Sequence, residues 1–347
     1  MLPENVLFSN DPVNDLQSFL TRKQYSQIAV LVDENTQTHC YPTLTAGLPQ
    51  HFMITVKSGE EQKNLSTCLS IWQSMTDHAL DRHAVVIIVG GGVLGDMGGF
   101  CAATYKRGID FILVPTTLLS QVDASIGGKM GVDFNSFKNH IGIFQQPVLT
   151  LIHSGFLKTL PESELRSGFA EVIKHALISD AATWDLIRSR SLKDQDWNRL
   201  LHHSVEFKAN VTTQDPREKG LRKILNAGHT IGHAVESYLL STGHRILHGE
   251  AIAVGLIAEG FLARERSMLS EADLAAISSY ITQTFGRVML EESALEKIAM
   301  LTVQDKKNKG NRILCVLLDG IGRAQWDCEI SLEEVKRALS FYRMLQT

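Results

Sequence analysis

Three short runs of aliphatic, largely β-branched residues constrain the first half of the chain more than any other feature: Ile28–Asp33 (IAVLVD), Ala84–Val89 (AVVIIV) and Phe111–Val114 (FILV). Polar residues do not alternate with apolar ones inside them, so each reads as a strand covered on both faces, as in a parallel sheet. Parallel neighbours cannot be joined by a tight hairpin and need a crossover, usually a helix. Asn64–His78, between two of the runs, has the three- and four-residue apolar spacing of such a helix, and turn signals bound each run. Val148–Ile152 (VLTLI) reads as one more strand. Asp123–Asn139 has little helical or strand pattern.

From Glu162 onward the pattern changes to long helical segments: Glu162–Ile178, Asp185–Asn210, Thr230–Leu240, Glu250–Ser267 and Glu271–Phe285, with Gly310–Leu318 as a late short strand. A chain of 347 residues suits about two domains. The expected division is an α/β domain over 1–160 and a helical domain over 161–347, with a ligand cleft at their junction. Lys and Arg number 34 against 38 Asp and Glu, a net charge of -4, which excludes a globally basic nucleic-acid binder. No apolar run is long enough to span a membrane, and the acidic start MLPENVLFSNDPVND does not resemble a signal peptide. Cys40, Cys68, Cys101, Cys315 and Cys328 are odd in number, scattered and without C-x-x-C spacing. A reduced, cytoplasmic protein is expected.

Gly90-Gly91-Gly92-Val93-Leu94-Gly95-Asp96-Met97-Gly98-Gly99 follows a buried strand and leads into a helical stretch. Glycines there let backbone N–H groups approach a phosphate at a helix N-terminus, although a tight strand-to-helix turn needs glycine too. Ser58-Gly59-Glu60-Glu61-Gln62-Lys63 and Pro115-Thr116-Thr117-Leu118-Leu119 end other strands of the same half, at the sheet edge where open α/β sheets bind ligands. A dinucleotide is the expected ligand; Asp33, followed closely by Asn35, reads either as the ribose partner or, equally well, as a simple cap at the end of its strand. Asp123-Ala-Ser-Ile-Gly-Gly-Lys129, Lys138-Asn139 and Arg107 offer cations and an amide for a phosphate.

His229 and His233 stand four residues apart on one helix face, and His248 precedes Glu250 at the start of another helix. Glu171 and Lys174 lie one turn apart upstream. Three N/O ligands with an open position mark a catalytic metal rather than a structural one. Spacing alone selects the pair His229/His233 and leaves the carboxylate undecided. Lys208, Glu218, Arg222 and Asn226 approach the histidines in sequence, and Asp305-Lys306-Lys307 supplies two more cations near the C-terminus.

Taken in order, these segments resemble the 3-dehydroquinate synthase family. The matching phrases include GGGVLGDMGGF (Gly90–Phe100), YKRG (Tyr105–Gly108), PTTLL (Pro115–Leu119), DASIGGK (Asp123–Lys129), SGFAEVIKH (Ser167–His175), DPREKGLRKILNAGHTIGHA (Asp215–Ala234), LHGE (Leu247–Glu250) and DKK (Asp305–Lys307). The resemblance implies a dehydroquinate synthase-like fold: an α/β, Rossmann-like N-terminal NAD domain plus a mostly α-helical C-terminal metal-binding domain, usually as a homodimer. It implies Glu171, His229 and His248 as ligands of Zn2+ (or Co2+), which overrules the pair chosen by spacing and assigns His233 to substrate or proton transfer. It implies NAD+ held by Ser58 to Lys63, Gly91 to Asp96, Thr116, Thr117, Lys129, Lys138 and Phe156-Leu157-Lys158-Thr159. A small phosphorylated sugar acid would meet Asp123, Lys129, Asn139, Lys174, Lys208, Arg222, Asn226, His233 and either Lys306 or Lys307. Arg107 would reach the neighbouring subunit's site.

The implied reaction converts 3-deoxy-D-arabino-heptulosonate 7-phosphate to 3-dehydroquinate and phosphate through transient oxidation, phosphate elimination, re-reduction, ring opening and aldol closure. Ala227, where the family commonly has an aromatic residue, Asp133 and His140 depart from the family pattern. The competing readings are a sugar phosphate cyclase of secondary metabolism, an NAD- and metal-dependent polyol dehydrogenase, and a catalytically dead NAD-binding regulator.

Overall fold

The computed structural model of the chain describes residues 2–135, 137–303 and 312–345. The chain divides into two compact units, Met1–Leu165 and Arg166–Thr347.

The first unit contains β1 (Val6–Phe8), α1 (Pro12–Lys23), β2 (Ile28–Asp33), α2 (Glu34–His39), β3 (Phe52–Val56), α3 (Leu65–Asp77), β4 (Val85–Gly90), α4 (Gly92–Thr104), β5 (Asp110–Pro115), β6 (Lys129–Phe134), β7 (Phe137–Phe144) and β8 (Leu149–Ile152). Six strands form one parallel sheet in the order β1-β8-β5-β4-β2-β3. Alternate residues of each strand go to opposite faces, and both faces are covered. Ala29, Leu31, Val86, Ile88, Phe111 and Leu113 pack with α3 and α4 residues such as Ile71, Met75 and Met97. Val30, Val32, Val85, Ile87, Ile112 and Val114 pack with Leu16, Phe19 and Leu20 of α1. Two apolar faces are why these strands read as unbroken hydrophobic runs. The crossover from β2 leads outward to β3, whereas that from β4 leads the other way to β5. The carboxyl ends of β2 and β4 therefore flank the switch point of the sheet, the usual ligand crevice of this architecture.

The stretch expected to lack regular structure departs from that reading. Ser120–Ala124 forms a π-helical turn, and β6 and β7 pair as an antiparallel hairpin. Met130 and Val132 point into the sheet's core while Phe134, Phe137 and Phe144 are exposed. Exposed aromatic residues and the opposed Gly131 and Gly142 blur the polar–apolar alternation by which a half-buried hairpin is read.

The second unit contains the remainder of α5 (Glu162–Ser179), α6 (Ala181–Arg188), α7 (Trp197–Gln214), α8 (His229–Ser241), α9 (His248–Glu265), α10 (Glu271–Phe285), α11 (Leu295–Thr302), the antiparallel pair β9 (Ile313–Leu318) and β10 (Ala324–Ile330), and α12 (Leu332–Met344). The single helix expected over Asp185–Asn210 is two. Asp180 caps α6 through the N–H groups of Ala182 and Thr183, and Asp196 caps α7 through that of Arg199. The apolar spacing runs on through the break, and the caps mark where the backbone turns. Helix α9 is buried along nearly its whole length and contacts α8, α10, α12 and β9, so it forms the core of this unit. Among the described residues no helix is long and apolar enough to cross a membrane. All five cysteines are free thiols.

Candidate active site

In the first unit, the glycine-rich turn connects β4 to α4 without a side-chain cap on the helix N-terminus. A cavity lined by Gly90, Gly91, Gly92, Gly95, Asp96, Pro115, Ser120 and Ser125 lies at this turn. A Cβ on Gly91 would stand 3.1 Å from Thr117 Cγ2, and one on Gly92 would stand 3.2 Å from Ala124 Cβ. Side chains at either position would fill the cradle, and the uncapped helix start offers N–H donors, so the site suits the close approach of a phosphate. Thr116 N–H bonds the Gly90 carbonyl at 3.1 Å, tying the ends of β4 and β5 together. Thr117 and Ser120 exchange backbone-to-hydroxyl bonds at 3.1 Å each.

Other expected cofactor residues divide by environment. Leu94 and Phe156 bury their side chains in the sheet's two cores, and Leu157 is buried as well. Val93, Leu119 and Gln62 are at least partly accessible, and Asn35, Lys158 and Thr159 are exposed. Asp33 caps α2, its Oδ1 accepting from Thr36 N–H at 2.7 Å. Ser58 donates its N–H and its hydroxyl to Glu34, at 2.8 and 2.7 Å. Glu34 is thus a supporting residue that sequence reading passed over. Gln121 is another: wholly buried, it donates to the carbonyls of Pro115 and His153 at the ends of β5 and β8.

Lys63 is the centre of a polar knot. Its buried ammonium donates to Asp96 Oδ2 and to Asn139 Oδ1, each at 2.6 Å. Asn139 N–H donates to Asp133 at 2.7 Å, and Lys138 Nζ lies 3.8 Å from Glu60. The Ser58–Lys63 turn, the glycine-rich helix and the tip of the β6–β7 hairpin are thereby joined. Asp123 sits in the π-helical turn, and Lys129 is exposed at the start of β6. Lys106 and Arg107 both have left-handed backbone conformations, with φ of 50° and 71°, and both are exposed. Such a conformation is uncommon for non-glycine residues.

In the second unit, α5, α8 and α9 bring Glu171, His229, His233 and His248 together. Donor atoms of the three histidines lie within 4.8 Å of one another. Glu171 Oε1 is 3.6 Å from His229 Nε2 and 3.5 Å from His248 Nε2. Ligand bonds of about 2.0–2.1 Å in tetrahedral arrangement put neighbouring donors about 3.3–3.4 Å apart, so this spacing fits a common ion. Glu171 forms an ion pair with Lys174, and both side chains are 1% exposed. Glu171 Oε2 faces Lys174, whereas the buried Oε1, which faces both histidines, has no hydrogen-bond partner, as befits an oxygen reserved for a cation. Burial alone would raise the Glu171 carboxyl. The charges of Lys174, His248 and His175 outweigh it and hold the group well below the usual carboxylate range. Burial likewise disfavours a charged His248, yet the facing Glu171 and Glu236 carboxylates push it up to about 9. A field that holds a proton there also favours a divalent cation in its place.

Backbone contact between helices sets this geometry. A Cβ on Gly255 of α9 would stand 1.8 Å from the Gly228 carbonyl oxygen, and one on Gly249 would stand 2.0 Å from that of Ser167. Glycine at these points lets α9 touch the start of α8 and the body of α5, which carry His229 and Glu171. Glu259 of α9 accepts from Gly228, Thr230 and Ile231 N–H at 2.6, 3.1 and 3.2 Å, supplying the cap that the start of α8 lacks.

The 215–226 loop organises the other expected residues. Asp215 accepts from the N–H groups of Lys219, Gly220 and Arg222, and these bonds hold its carboxyl below the ordinary range. Arg222 is buried and donates from Nη1 to the Pro216 carbonyl at 2.8 Å. Glu218 accepts from Asn226 Nδ2 at 2.7 Å. Lys208 is buried on α7, and the aliphatic Ala227 is buried at 2% exposure. Lys306 and Lys307 lie outside the described residues.

Residues 53–167 match the family model described as 3-dehydroquinate synthase N-terminal, and residues 168–308 match the one described as 3-dehydroquinate synthase C-terminal. A curated relative named 3-dehydroquinate synthase, from Parabacteroides distasonis, is 34% identical over 99% of this chain and 99% of its own. The chain belongs to the 3-dehydroquinate synthase family. A second relative of that name, from a Sulfurovum species, is 40% identical over 90% of each chain. Among solved structures, the 2-epi-5-epi-valiolone synthase of Streptomyces hygroscopicus subsp. jinggangensis, with NAD+ and Zn2+ bound, superposes with a TM-score of 0.86. It is 27% identical, and the match covers 99% of this chain and 97% of that one. The expected family fold, a Rossmann-like parallel sheet together with a mostly helical remainder, is therefore present in this 3-dehydroquinate synthase relative.

Proposed function

We propose that this chain converts 3-deoxy-D-arabino-heptulosonate 7-phosphate to 3-dehydroquinate and phosphate, with NAD+ and a divalent metal ion, zinc or cobalt, as cofactors. The observation that carries the reading is identity along nearly the whole chain to relatives bearing that one name. The donor geometry at Glu171, His229 and His248 supports the metal, and the glycine cradle after β4 supports the dinucleotide. The solved valiolone synthase holds NAD+ and Zn2+ together, which agrees with a binding role for both cofactors.

Each residue type then has a task. Glu171, His229 and His248 hold the ion, and Lys174 keeps Glu171 ionised. Gly91 to Asp96 admit the cofactor's phosphates to the backbone, with Lys63 holding Asp96 in place and Thr116, Thr117, Lys129, Lys138 and the 156–159 turn around them. An ion held by Glu171, His229 and His248 would supply polarisation of a substrate hydroxyl, and NAD+ held at the glycine turn would supply reversible hydride transfer with no net oxidation. Lys174, Lys208, Arg222, Asn226, Lys129, Asn139 and one lysine of the Asp305–Lys307 motif are the donors the sequence offers a substrate that is both carboxylate and phosphate. Asp123 meets the substrate, Glu218 orients Asn226, and His233 moves a proton at the substrate. Residues 1–160 form the NAD domain and 161–347 the metal and substrate domain. The enzyme acts as a cytoplasmic homodimer in which Arg107 serves the partner's site.

The test is phosphate release from the heptulosonate phosphate in the presence of NAD+ and Zn2+, with nicotinamide absorbance followed in parallel. Stoichiometric phosphate without accumulation of NADH is expected. Steady NADH formation would indicate a polyol dehydrogenase instead. Preference for sedoheptulose 7-phosphate would indicate a cyclase of secondary metabolism.

A further inference from the structure

His248 is bracketed by two carboxylates, one at each ring nitrogen. Its Nε2 lies 3.5 Å from Glu171 Oε1 and its Nδ1 lies 3.6 Å from Glu236 Oε2. Glu236 belongs to α8, seven residues after His229 and three after His233, so the three share one stripe of the helix. Its side chain is only 17% exposed, which sets it apart from the solvated carboxylates that cover most helix surfaces.

A neutral imidazole has one N–H and one lone pair, and only the nitrogen with the lone pair binds a metal. Nε2 of His248 is the atom that shares Glu171 Oε1 with His229, so the proton belongs on Nδ1. His229 fixes the same tautomer through its backbone, Nδ1 being 3.0 Å from the Ala227 carbonyl. For His248 the group at Nδ1 is a side chain. We propose that Glu236 is a positioning residue for His248, accepting the Nδ1 proton and so aiming Nε2 at the metal. The separation of 3.6 Å closes to a hydrogen bond with a small rotation of the carboxylate, a soft torsion. Because Glu236 approaches the Nδ1 side of the ring, it holds the ligand without being one. This proposal rests on the reading of Glu171, His229 and His248 as the ligand set.

The experiment measures Zn2+ affinity by chelator competition on the full-length enzyme, beside the melting temperature of the metal-free protein. Glu236→Ala is expected to weaken Zn2+ binding about 10–100-fold, the usual effect of losing an outer carboxylate. Glu236→Gln, which keeps an acceptor oxygen, is expected to restore affinity to within a fewfold of the wild type, with the metal-free melting temperature unmoved. Unchanged affinity in Glu236→Ala overturns the proposal, and so does a Gln variant as weak as the Ala variant. Should Glu236→Ala not fold, Glu236→Met against Glu236→Gln makes the same comparison with side-chain volume kept. His248→Ala separates the two readings: if it binds Zn2+ as tightly as the wild type, the ligand assignment fails, whatever Glu236 does.

Discussion

Replacing Glu259 by Gln tests how the start of α8 is held. The carboxylate is 3% exposed and accepts three backbone N–H groups, those of Thr230 and Ile231 on Oε1 and that of Gly228 on Oε2. Glutamine keeps one acceptor oxygen and turns an NH2 toward the donors that the other oxygen served. At least one buried N–H then loses its partner, at about 1–3 kcal/mol, and the charge at the helix N-terminus is lost, for up to ~2 kcal/mol more. Removing a buried charge offsets part of this, which leaves a destabilisation of roughly 2–4 kcal/mol. In a two-domain chain the affected unit should melt roughly 5–12 °C lower. Calorimetry of the metal-free protein reads this directly. Because His229 is the first residue of α8, metal affinity should fall with it. A Glu259→Gln protein that melts within about 1 °C of the wild type would refute the capping account.

Gly255→Ala places a methyl group against the Gly228 carbonyl, so α8 and α9 must separate. A loss of about 1–3 kcal/mol in denaturant titration is expected, with weaker metal binding, and an unchanged midpoint would count against backbone contact. His229→Ala should lose bound metal and phosphate release together while far-ultraviolet circular dichroism is retained; a stoichiometric ion in the variant contradicts the ligand assignment. Arg222→Ala should lower kcat/KM for the carboxylated substrate by about 2–5 kcal/mol, far more than for an analogue lacking the carboxylate, and equal losses would remove Arg222 from carboxylate recognition. Arg107→Ala and His229→Ala, each inactive alone, should recover up to about a quarter of wild-type activity when unfolded and refolded together, because half the dimers then carry one intact site. No recovery in a confirmed mixed dimer would place Arg107 in its own subunit's site.

What could be read in advance depended on whether a residue's partners are local. β2 was legible because burial on both faces leaves no polar residue before Asp33, and α10 because its apolar spacing runs from one end to the other. The pair His229/His233 follows from one helical turn, whereas the Glu171 oxygen shared by His229 and His248 is a product of three helices converging, which no spacing encodes. The β6–β7 hairpin escaped because exposed phenylalanines mask its inward face. Two signals were nevertheless present. Glu236 completes an H-x-x-x-H-x-x-E stripe, and Glu259 is the one carboxylate between Ala251 and Ala263 in an otherwise apolar and glycine-containing helix. A lone acid in such a helix has to be satisfied by buried donors, and an uncapped helix start, with its unpaired N–H groups, supplies them. Gly228, a left-handed residue that cannot cap α8 with a side chain, is the matching need. The carboxylates that were overlooked are thus the ones that hold the recognised histidines in place, and their effect should appear in metal affinity even where they never touch the metal.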